Sequence, residues 1–192
     1  MTTALDFTQT GQTILLAQIL NDNPDCGLSA ANCVFTYPIP NPDAVADGYD
    51  TLIRIDPIQG EGFFESFIYK YNKIDLASVF EGATTSFDKG SAVQLSDLIA
   101  TINESATINL AAPVLADPAN NIKAAPGDFN DLKLPQPTGP GVPVNFILTA
   151  APMSFIYKGD VILTLTTTYK TIASVLTTPS TGLVFTRPVV AS

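Results

Sequence analysis

The chain has 192 residues, which is enough for one or two small domains with a hydrophobic core. Hydrophobic residues make up 46% of it and charged residues only 14%, a composition that excludes a disordered polar chain. The net charge is −9 and the nine basic residues are scattered singly, so no cationic patch is predicted for nucleic acid or an anionic membrane surface.

Further classes are excluded by what the sequence lacks. No apolar run approaches the roughly 20 residues that span a bilayer. Residues 1–10 carry neither the basic nor the apolar region of a secretory signal. Histidine is absent, so neither a triad with a histidine base nor a structural zinc site is predicted. Cys26 and Cys33 are the only cysteines; a disulfide between them is sterically possible, but two small buried apolar side chains are the favoured interpretation.

The start of the chain predicts an arm, a helix and a strand. Residues 1–9 are interpreted as an exposed strand or arm. A helix is predicted from Thr10, and it should end at 21–24, where a proline follows two asparagines. Ser29 is expected to cap a short turn that leads into a strand at 34–37. The apolar stripe of the helix consists of Ile14, Leu15, Ile19 and Leu20.

A hairpin is predicted next, after a loop at 38–50. Residues 51–58 alternate polar and apolar side chains, which predicts a half-buried strand, and residues 63–74 predict a second one. The Gly-Glu-Gly turn at 60–62 should join them. Sheet core is the favoured role of the aromatic residues here, with a ligand groove as the alternative. They are Phe63, Phe64, Phe67, Tyr69, Tyr71, Phe80 and Phe87.

The second half predicts a similar order of elements after a linker at 82–90. Ser91 and Gln94 match a capping box, and a helix is expected to follow. Residues 112–144, rich in Pro, Gly, Ala and Asn, predict a long loop, interpreted as an arm laid across a neighbour. The helical spacing is carried by Val93, Leu95, Leu98, Ile99 and Ile102.

The C-terminal part predicts strands throughout. Strands at 145–149 and 156–168 should form a second hairpin, and 171–177 and 183–190 are further candidates. The threonine-rich run at 163–182 is typical of an exposed edge strand, which another subunit can use for docking.

Parts of the two halves are weakly repeated. Residues 51–71 align with 145–165, which places Phe67 opposite Val161 and Pro57 opposite Pro152. Repeats typically build scaffolds whose units bury a shared face. An earlier match, 82 positions apart, aligns Leu16, Leu20, Asn21 and Leu28 with Leu98, Ile102, Asn103 and Leu110.

The repeat predicts the domain organisation and the fold class. Each unit should combine a helix with antiparallel sheet, so we expect a strand-dominated, β-sandwich-like α+β fold of two related modules. The predicted parts are an N-terminal arm at 1–9, a first module at 10–81, a linker at 82–90, a second module at 91–170 with a Pro/Gly-rich insert at 113–144, and C-terminal strands or an arm at 171–192.

Two candidate chemical sites are weak. Asn21, Asn23 and Asp25 have the alternate spacing of a calcium loop, but Asn32 stands where the bidentate glutamate belongs. Glu61 and Glu65 would make an acid–base pair only in a cleft, and carboxylates beside a hairpin turn are typical of solvated surface. We therefore predict no catalytic, cofactor-binding or metal-binding residue and no cofactor. An enzyme with a histidine-free carboxylate site stays as a weaker alternative.

Several short motifs together form one pattern. They are LLAQILN at 15–21, the Leu-Ser pair at 28–29, GEGF at 60–63, YNKIDL at 71–76 and LTAAPMSFIYKGDVILTL at 148–165. This pattern resembles a repeated module of virion structural proteins from large tailed bacteriophages. The resemblance covers roughly residues 12–168.

The resemblance implies a structural, non-enzymatic virion protein of the head, neck or tail, or a decoration protein. Its partners would be other virion proteins and copies of itself, in a homo-oligomer assembled in the host cytoplasm, without nucleic acid or membrane. The insert at 113–144 and both termini are the expected contact surfaces, so deletion of 118–140 should leave a folded chain that fails to enter particles. The alternative is a carbohydrate- or receptor-binding module of a phage or cell-surface protein that uses the aromatic hairpin face.

Overall fold

A computed structural model describes residues 4–120 and 124–168, and in this part of the chain the fold is α+β with strands predominating, as predicted. The helices are α1 (Gly11–Asp22), α2 (Ala44–Asp47), α3 (Leu76–Val79) and α4 (Ile99–Ala106). The strands are β1 (Cys33–Phe35), β2 (Ile39–Pro40), β3 (Thr51–Pro57), β4 (Phe67–Tyr71), β5 (Ile74–Asp75), β6 (Ser86–Asp88), β7 (Val144–Thr149), β8 (Tyr157–Lys158) and β9 (Asp160–Thr166).

The predicted first helix is confirmed, with both of its ends. The Thr10 hydroxyl accepts a hydrogen bond from the Thr13 N–H at 3.3 Å, which satisfies a free donor of the first turn. At the other end, the backbone N–H and side-chain amide of Asn23 both donate to the Ile19 carbonyl, at 2.8 and 3.0 Å. Pro24 follows and cannot continue the helix. The fully buried part of its stripe is Ile14, Leu15 and Ile19.

The predicted first hairpin is also confirmed. β3 is central in its sheet and pairs antiparallel with β4, β1 and β2. Ile53 and Ile55 face the core and Arg54 faces solvent, as the alternation predicts. β4 begins at Phe67 rather than at Phe63, because residues 58–66 form a wide loop instead of a tight turn.

The predicted loop at 38–50 has structure of its own. It contains β2 and the short helix α2. Asn41 is buried, and its side-chain amide donates to the Asp47 carboxylate at 2.8 Å and to the Tyr49 carbonyl at 2.7 Å. One buried polar side chain therefore closes this segment, which apolar periodicity cannot reveal.

The second sheet corrects two predictions. Its order is β6–β9–β7, so β9 is its central strand, parallel to β6 and antiparallel to β7. The prediction of an exposed threonine-rich edge is therefore wrong for residues 163–166. Thr167 is buried and the Thr168 hydroxyl donates to the Asp88 carboxylate at 2.8 Å, whereas residues 169–182 lie outside the described residues. β6 lies inside the predicted linker at 82–90, and Phe87 is buried, so this segment is part of the sheet.

The start of the second helical region also differs from the prediction. The capping interaction uses Asp97 instead of Ser91, since its carboxylate accepts the N–H groups of Val93 and Gln94 at 2.8 and 2.9 Å. A 3₁₀ turn at Leu95–Asp97 precedes α4. Leu95, Leu98 and Ile102 are buried as expected, whereas Val93 is 55% exposed.

The insert at 113–144 packs largely on its own chain, which corrects its interpretation as an arm. Phe129 and Leu134 are 1% and 4% exposed and belong to the hydrophobic core. Gly127 is buried so close to the backbone of Pro113 that no side chain would fit there. Deletion of 118–140 would remove these core residues, so the prediction that it leaves a folded chain is wrong. Other residues of the insert are open to solvent, since Leu115, Leu132 and Val142 are 85%, 51% and 45% exposed.

The sequence predicts an exposed strand or arm at 1–9, and strands or an arm at 171–192. In the N-terminal part, Leu5 and Phe7 are half-buried against the core and form no strand. Residues 1–3 and the predicted strands at 171–177 and 183–190 lie outside the described residues.

The predicted repeat is only partly visible in the fold. Each half contributes a helix and an antiparallel hairpin, and Phe67 and Val161 lie on the core-facing sides of their sheets. The alignment of Thr51 with Asn145 is wrong, because Thr51 is buried and Asn145 is exposed, and a shift of one residue reverses the faces of a strand. β1 lies antiparallel to β3, whereas β6 lies parallel to β9. The module boundaries stay a prediction.

Candidate interaction surface

Apolar side chains are exposed at the far end of the first hairpin. Phe64 is 88% exposed and Phe67 is 64% exposed, with Phe63 at 37%. The favoured assignment of the whole aromatic set to the core is therefore wrong for these three residues. Tyr71, Phe80 and Phe87, in contrast, are buried as predicted. We call Phe63, Phe64 and Phe67 the hairpin end.

The strand register explains why the hairpin end protrudes. Phe67 pairs with Ile55 and so lies on the core-facing side of the sheet, but at the end where the core stops. A shallow groove of about 190 Å³ opens there beside Phe67. The groove is lined by Cys26, Leu28, Cys33, Ile55, Pro57, Phe63, Glu65 and Phe67. The lining of this groove is thus mostly apolar, with Glu65 as its charged residue.

The opposite face of the same sheet is also exposed to solvent and carries an ion pair. Val34, Ile39 and Ile68 are 54%, 58% and 49% exposed. Between them, Arg54 bridges Asp56 at 2.8 Å. A hydrogen bond from the Ser66 hydroxyl, followed by one from Arg54, lowers the pKa of Asp56.

A cleft of about 530 Å³ lies between α1 and β4. Its floor is apolar and includes Ile14, Ile74 and Ile156. At its rim the Tyr69 hydroxyl donates to the Asp22 carboxylate at 3.1 Å. Burial, together with this hydrogen bond, raises the pKa of Tyr69 to about 12, so the hydroxyl stays protonated at neutral pH. Sequence reasoning missed this cleft, because its walls come from elements that are distant in the chain.

The most buried polar cluster has a structural role. Ser154 and Asp128 are 1% and 6% exposed, and the Ser154 hydroxyl donates to the Asp128 carboxylate at 2.5 Å. The second carboxylate oxygen accepts the Ala111 N–H at 2.9 Å. These bonds hold the insert against the loop between β7 and β9, and neither group faces a cavity among those found in the described residues.

The candidate calcium loop, the glutamate pair and the two cysteines form no chemical site within the described residues. Asn23 terminates α1, and no group of three or more His, Cys, Asp or Glu side chains in residues 4–120 and 124–168 is arranged to hold a metal ion. Glu61 and Glu65 are both exposed beside the hairpin end. Cys26 and Cys33 are free thiols. Cys33 is buried as predicted, and burial raises its pKa, whereas Cys26 is only half-buried, so the prediction of two buried side chains is wrong for Cys26. Among the described helices, none is long and apolar enough to cross a bilayer.

Comparison with known proteins places the chain in one family. Residues 5–182 match the family described as "Family of unknown function (DUF7941)", and the chain belongs to that family. No curated protein and no solved structure matches the chain.

Proposed function

We propose that the protein is a structural, non-enzymatic virion subunit of a tailed bacteriophage, in the head, neck or tail or as a decoration protein. It would act by packing against copies of itself and other virion proteins after synthesis in the host cytoplasm. The observation that supports this proposal is the exposed hairpin end, where Phe64 and Phe67 are 88% and 64% exposed. The assignment to a bacteriophage particle rests on the resemblance of the sequence motifs to virion modules.

The energetics of the hairpin end favour a protein partner. Covering one exposed phenylalanine side chain contributes about 1.5–3 kcal/mol. Contiguous exposed apolar surface on a folded domain is typical of protein–protein contact, and the centres of such contacts are depleted in charged residues. Of the nearby charges, Arg54 and Asp56 are paired with each other, and Glu61 and Glu65 are exposed beside the phenylalanines. The surface therefore suits association with another folded chain.

A second contact region is the open first part of the insert. Val114 and Leu115 are 44% and 85% exposed, whereas Phe129 and Leu134 later in the insert belong to the core. The start of the insert is therefore the part proposed as a contact surface. Several modest contacts of this kind reinforce one another when many subunits assemble.

Mass spectrometry of purified particles tests the proposal. We expect the chain in particles released from infected host cells, at a copy number that remains constant through repeated purification. Recovery only in the particle-free lysate would overturn the proposed virion role.

A second candidate function is carbohydrate or receptor binding, and the same exposed aromatics favour it. Phe64 offers an apolar ring, and Tyr49 and Tyr69 at the cleft combine rings with hydroxyls. A glycan array with the full chain discriminates the two functions. Specific glycan binding that is lost in Tyr69→Phe or Phe64→Ala would support this candidate, whereas no binding would favour the structural role.

A further inference from the structure

β4 has an open edge. It pairs only with β3, and no backbone hydrogen bond other than that ladder reaches residues 67–71 from any described residue. Open edges are usually protected by charged side chains, since unpaired N–H and C=O groups attract further strands. Lys70 is the only charged residue in β4, and Asp47 already binds it at 2.5 Å. Within residues 4–120 and 124–168, the edge is therefore free for strand pairing.

The cleft between α1 and β4 runs along this edge. Four consecutive residues, Tyr69, Lys70, Tyr71 and Asn72, line it. Successive side chains of a strand point to opposite faces, so consecutive residues line one wall only where the strand edge itself forms that wall. The cleft and the unpaired backbone are thus parts of one surface.

The same strand carries an exposed side chain at one end and the unfilled cleft at the other. Phe67, Tyr69 and Tyr71 share the core-facing side of the sheet, since they pair with Ile55, Ile53 and Thr51. Phe67 is 64% exposed, whereas Tyr71 is buried beside the cleft floor. Four residues of strand separate the two positions by about 13 Å. If a second β4 ran antiparallel beside the first, the Phe67 end of each strand would lie next to the cleft end of the other.

We propose that β4 pairs antiparallel with β4 of a second copy, so that Phe67 of each copy enters the cleft beside Tyr71 of the other. This contact rests on the proposed assembly function and gives it a specific self-association site. A twofold contact buries the same patch on both copies, which requires a self-complementary surface. With Tyr69 at the centre, Lys70 lies opposite Ile68 of the second copy, so no like charges lie directly opposite each other in the five-residue ladder.

The two edge strands of the second sheet fit such a contact less well. The outward side chain at the middle of β7 is Ile147, 53% exposed, and no cavity found in the described residues lies beside that strand. β6 has only three residues. A short β4–β4 ladder gives a small interface, below about 1,200 Å², so we expect a weak, concentration-dependent dimer that assembly reinforces.

Sedimentation equilibrium of the full chain tests the contact, with Phe67→Asp as the disrupting variant and Phe64→Asp as the matched control. We expect a wild-type monomer–dimer equilibrium, at least tenfold weaker association for Phe67→Asp, and unchanged association for Phe64→Asp. Circular dichroism confirms that both variants fold. A wild-type chain that stays monomeric at every concentration would overturn the proposal, as would equal effects of the two variants.

Disulfide trapping tests the register independently. Ile68→Cys and Lys70→Cys chains, mixed and oxidised, should form a mixed dimer at least tenfold faster than either variant alone or the wild type. Equal cross-linking in all samples would contradict the register and overturn the proposal. A monomeric chain that is nevertheless found in particles would refute only the β4 contact, whereas a dimer absent from particles would refute the virion role. Glycan binding lost in Tyr69→Phe, without dimerisation, would assign the cleft to a sugar and overturn self-pairing.

Discussion

The Tyr71 hydroxyl donates a 2.6 Å hydrogen bond to the carbonyl of Phe155, a residue 84 positions away in the chain. Two further bonds join the same regions: Lys73 donates to the Pro152 carbonyl at 2.8 Å, and Lys158 bridges Asp50 at 2.5 Å. These bonds fix the segment between β7 and β9, which includes β8, to the start of β3 and the end of β4. Buried residues of both halves form one hydrophobic cluster, so we expect the halves to unfold together.

Tyr71→Phe should lower the free energy of unfolding by about 1 kcal/mol, because it removes this hydrogen bond and leaves the Phe155 carbonyl without it. Urea denaturation followed by circular dichroism measures the change. Tyr49→Phe is the control, since Tyr49 is 44% exposed and its loss of a hydroxyl should change stability by less than about 0.5 kcal/mol. Equal changes in the free energy of unfolding for Tyr71→Phe and Tyr49→Phe would show that the Tyr71 hydrogen bond contributes nothing to stability.

Tyr157→Phe should instead raise the free energy of unfolding. Tyr157 is fully buried, and its hydroxyl has no hydrogen-bond partner among the described residues. A buried unpaired hydroxyl costs about 1–3 kcal/mol, so its removal should raise the free energy of unfolding, with about 1 kcal/mol as the expected gain. The same urea measurement applies. A loss of stability would mean that the hydroxyl has a partner in solution.

Asp50 should make the free energy of unfolding depend on pH in the acidic range. Burial raises its pKa, but hydrogen bonds from Lys158, Thr51 and the Lys73 N–H outweigh burial, and the pKa of Asp50 is lowered from its ordinary value of 3.8. A carboxyl with a lowered folded-state pKa contributes stability above its unfolded pKa and loses it as pH falls through the folded pKa. Denaturation at a series of pH values from neutrality to below about pH 4 should show this loss.

Asp50→Asn removes the titrating group and so provides the comparison. Because Lys158 and Asp50 are partly exposed, with side-chain exposures of 46% and 29%, solvent screens the pair and we expect a loss of only about 1 kcal/mol at pH 7. The variant should lose less stability than wild type on acidification. Lys158→Met should reproduce part of the effect. Identical acid dependence in wild type and Asp50→Asn would contradict the assignment.

Phe129→Ala tests whether the insert belongs to the core. The side chain is 1% exposed, and its truncation should lower the free energy of unfolding by about 3–5 kcal/mol through lost burial and a cavity. Leu115→Ala, in the same insert but 85% exposed, should change it by less than about 0.5 kcal/mol. Thermal or urea unfolding distinguishes them. If both variants changed the free energy of unfolding by similar small amounts, the interpretation of the whole insert as an arm would be supported again.

The features predicted correctly from sequence are those encoded locally. The stripe of Ile14, Leu15 and Ile19 and the alternation around Arg54 each determine one element and one buried face. Errors arose where distant segments meet. Whether β9 lies at an edge or in the centre depends on β6, which pairs Phe87 with Leu165, 78 positions later in the chain.

The candidate site was only partly predictable for the same reason. An aromatic strand pattern is typical of sheet core, yet Phe67 is exposed because the core ends before that strand does. The pattern identifies a face of the strand but not how far the opposing layer extends. The cleft beside Tyr69 depends on α1, 47 positions away, and has no local signal.

Incorporation of a double variant, Phe64→Ser with Phe67→Ser, tests the central claim most directly. Both side chains are exposed, so the variant should fold and keep wild-type stability within about 0.5 kcal/mol. Quantitative mass spectrometry of purified particles should show at least a tenfold lower copy number than wild type, since one covered phenylalanine contributes about 1.5–3 kcal/mol and 1.4 kcal/mol is about tenfold in affinity. A folded variant present at the wild-type copy number would contradict the claim that the hairpin end is the contact between subunits.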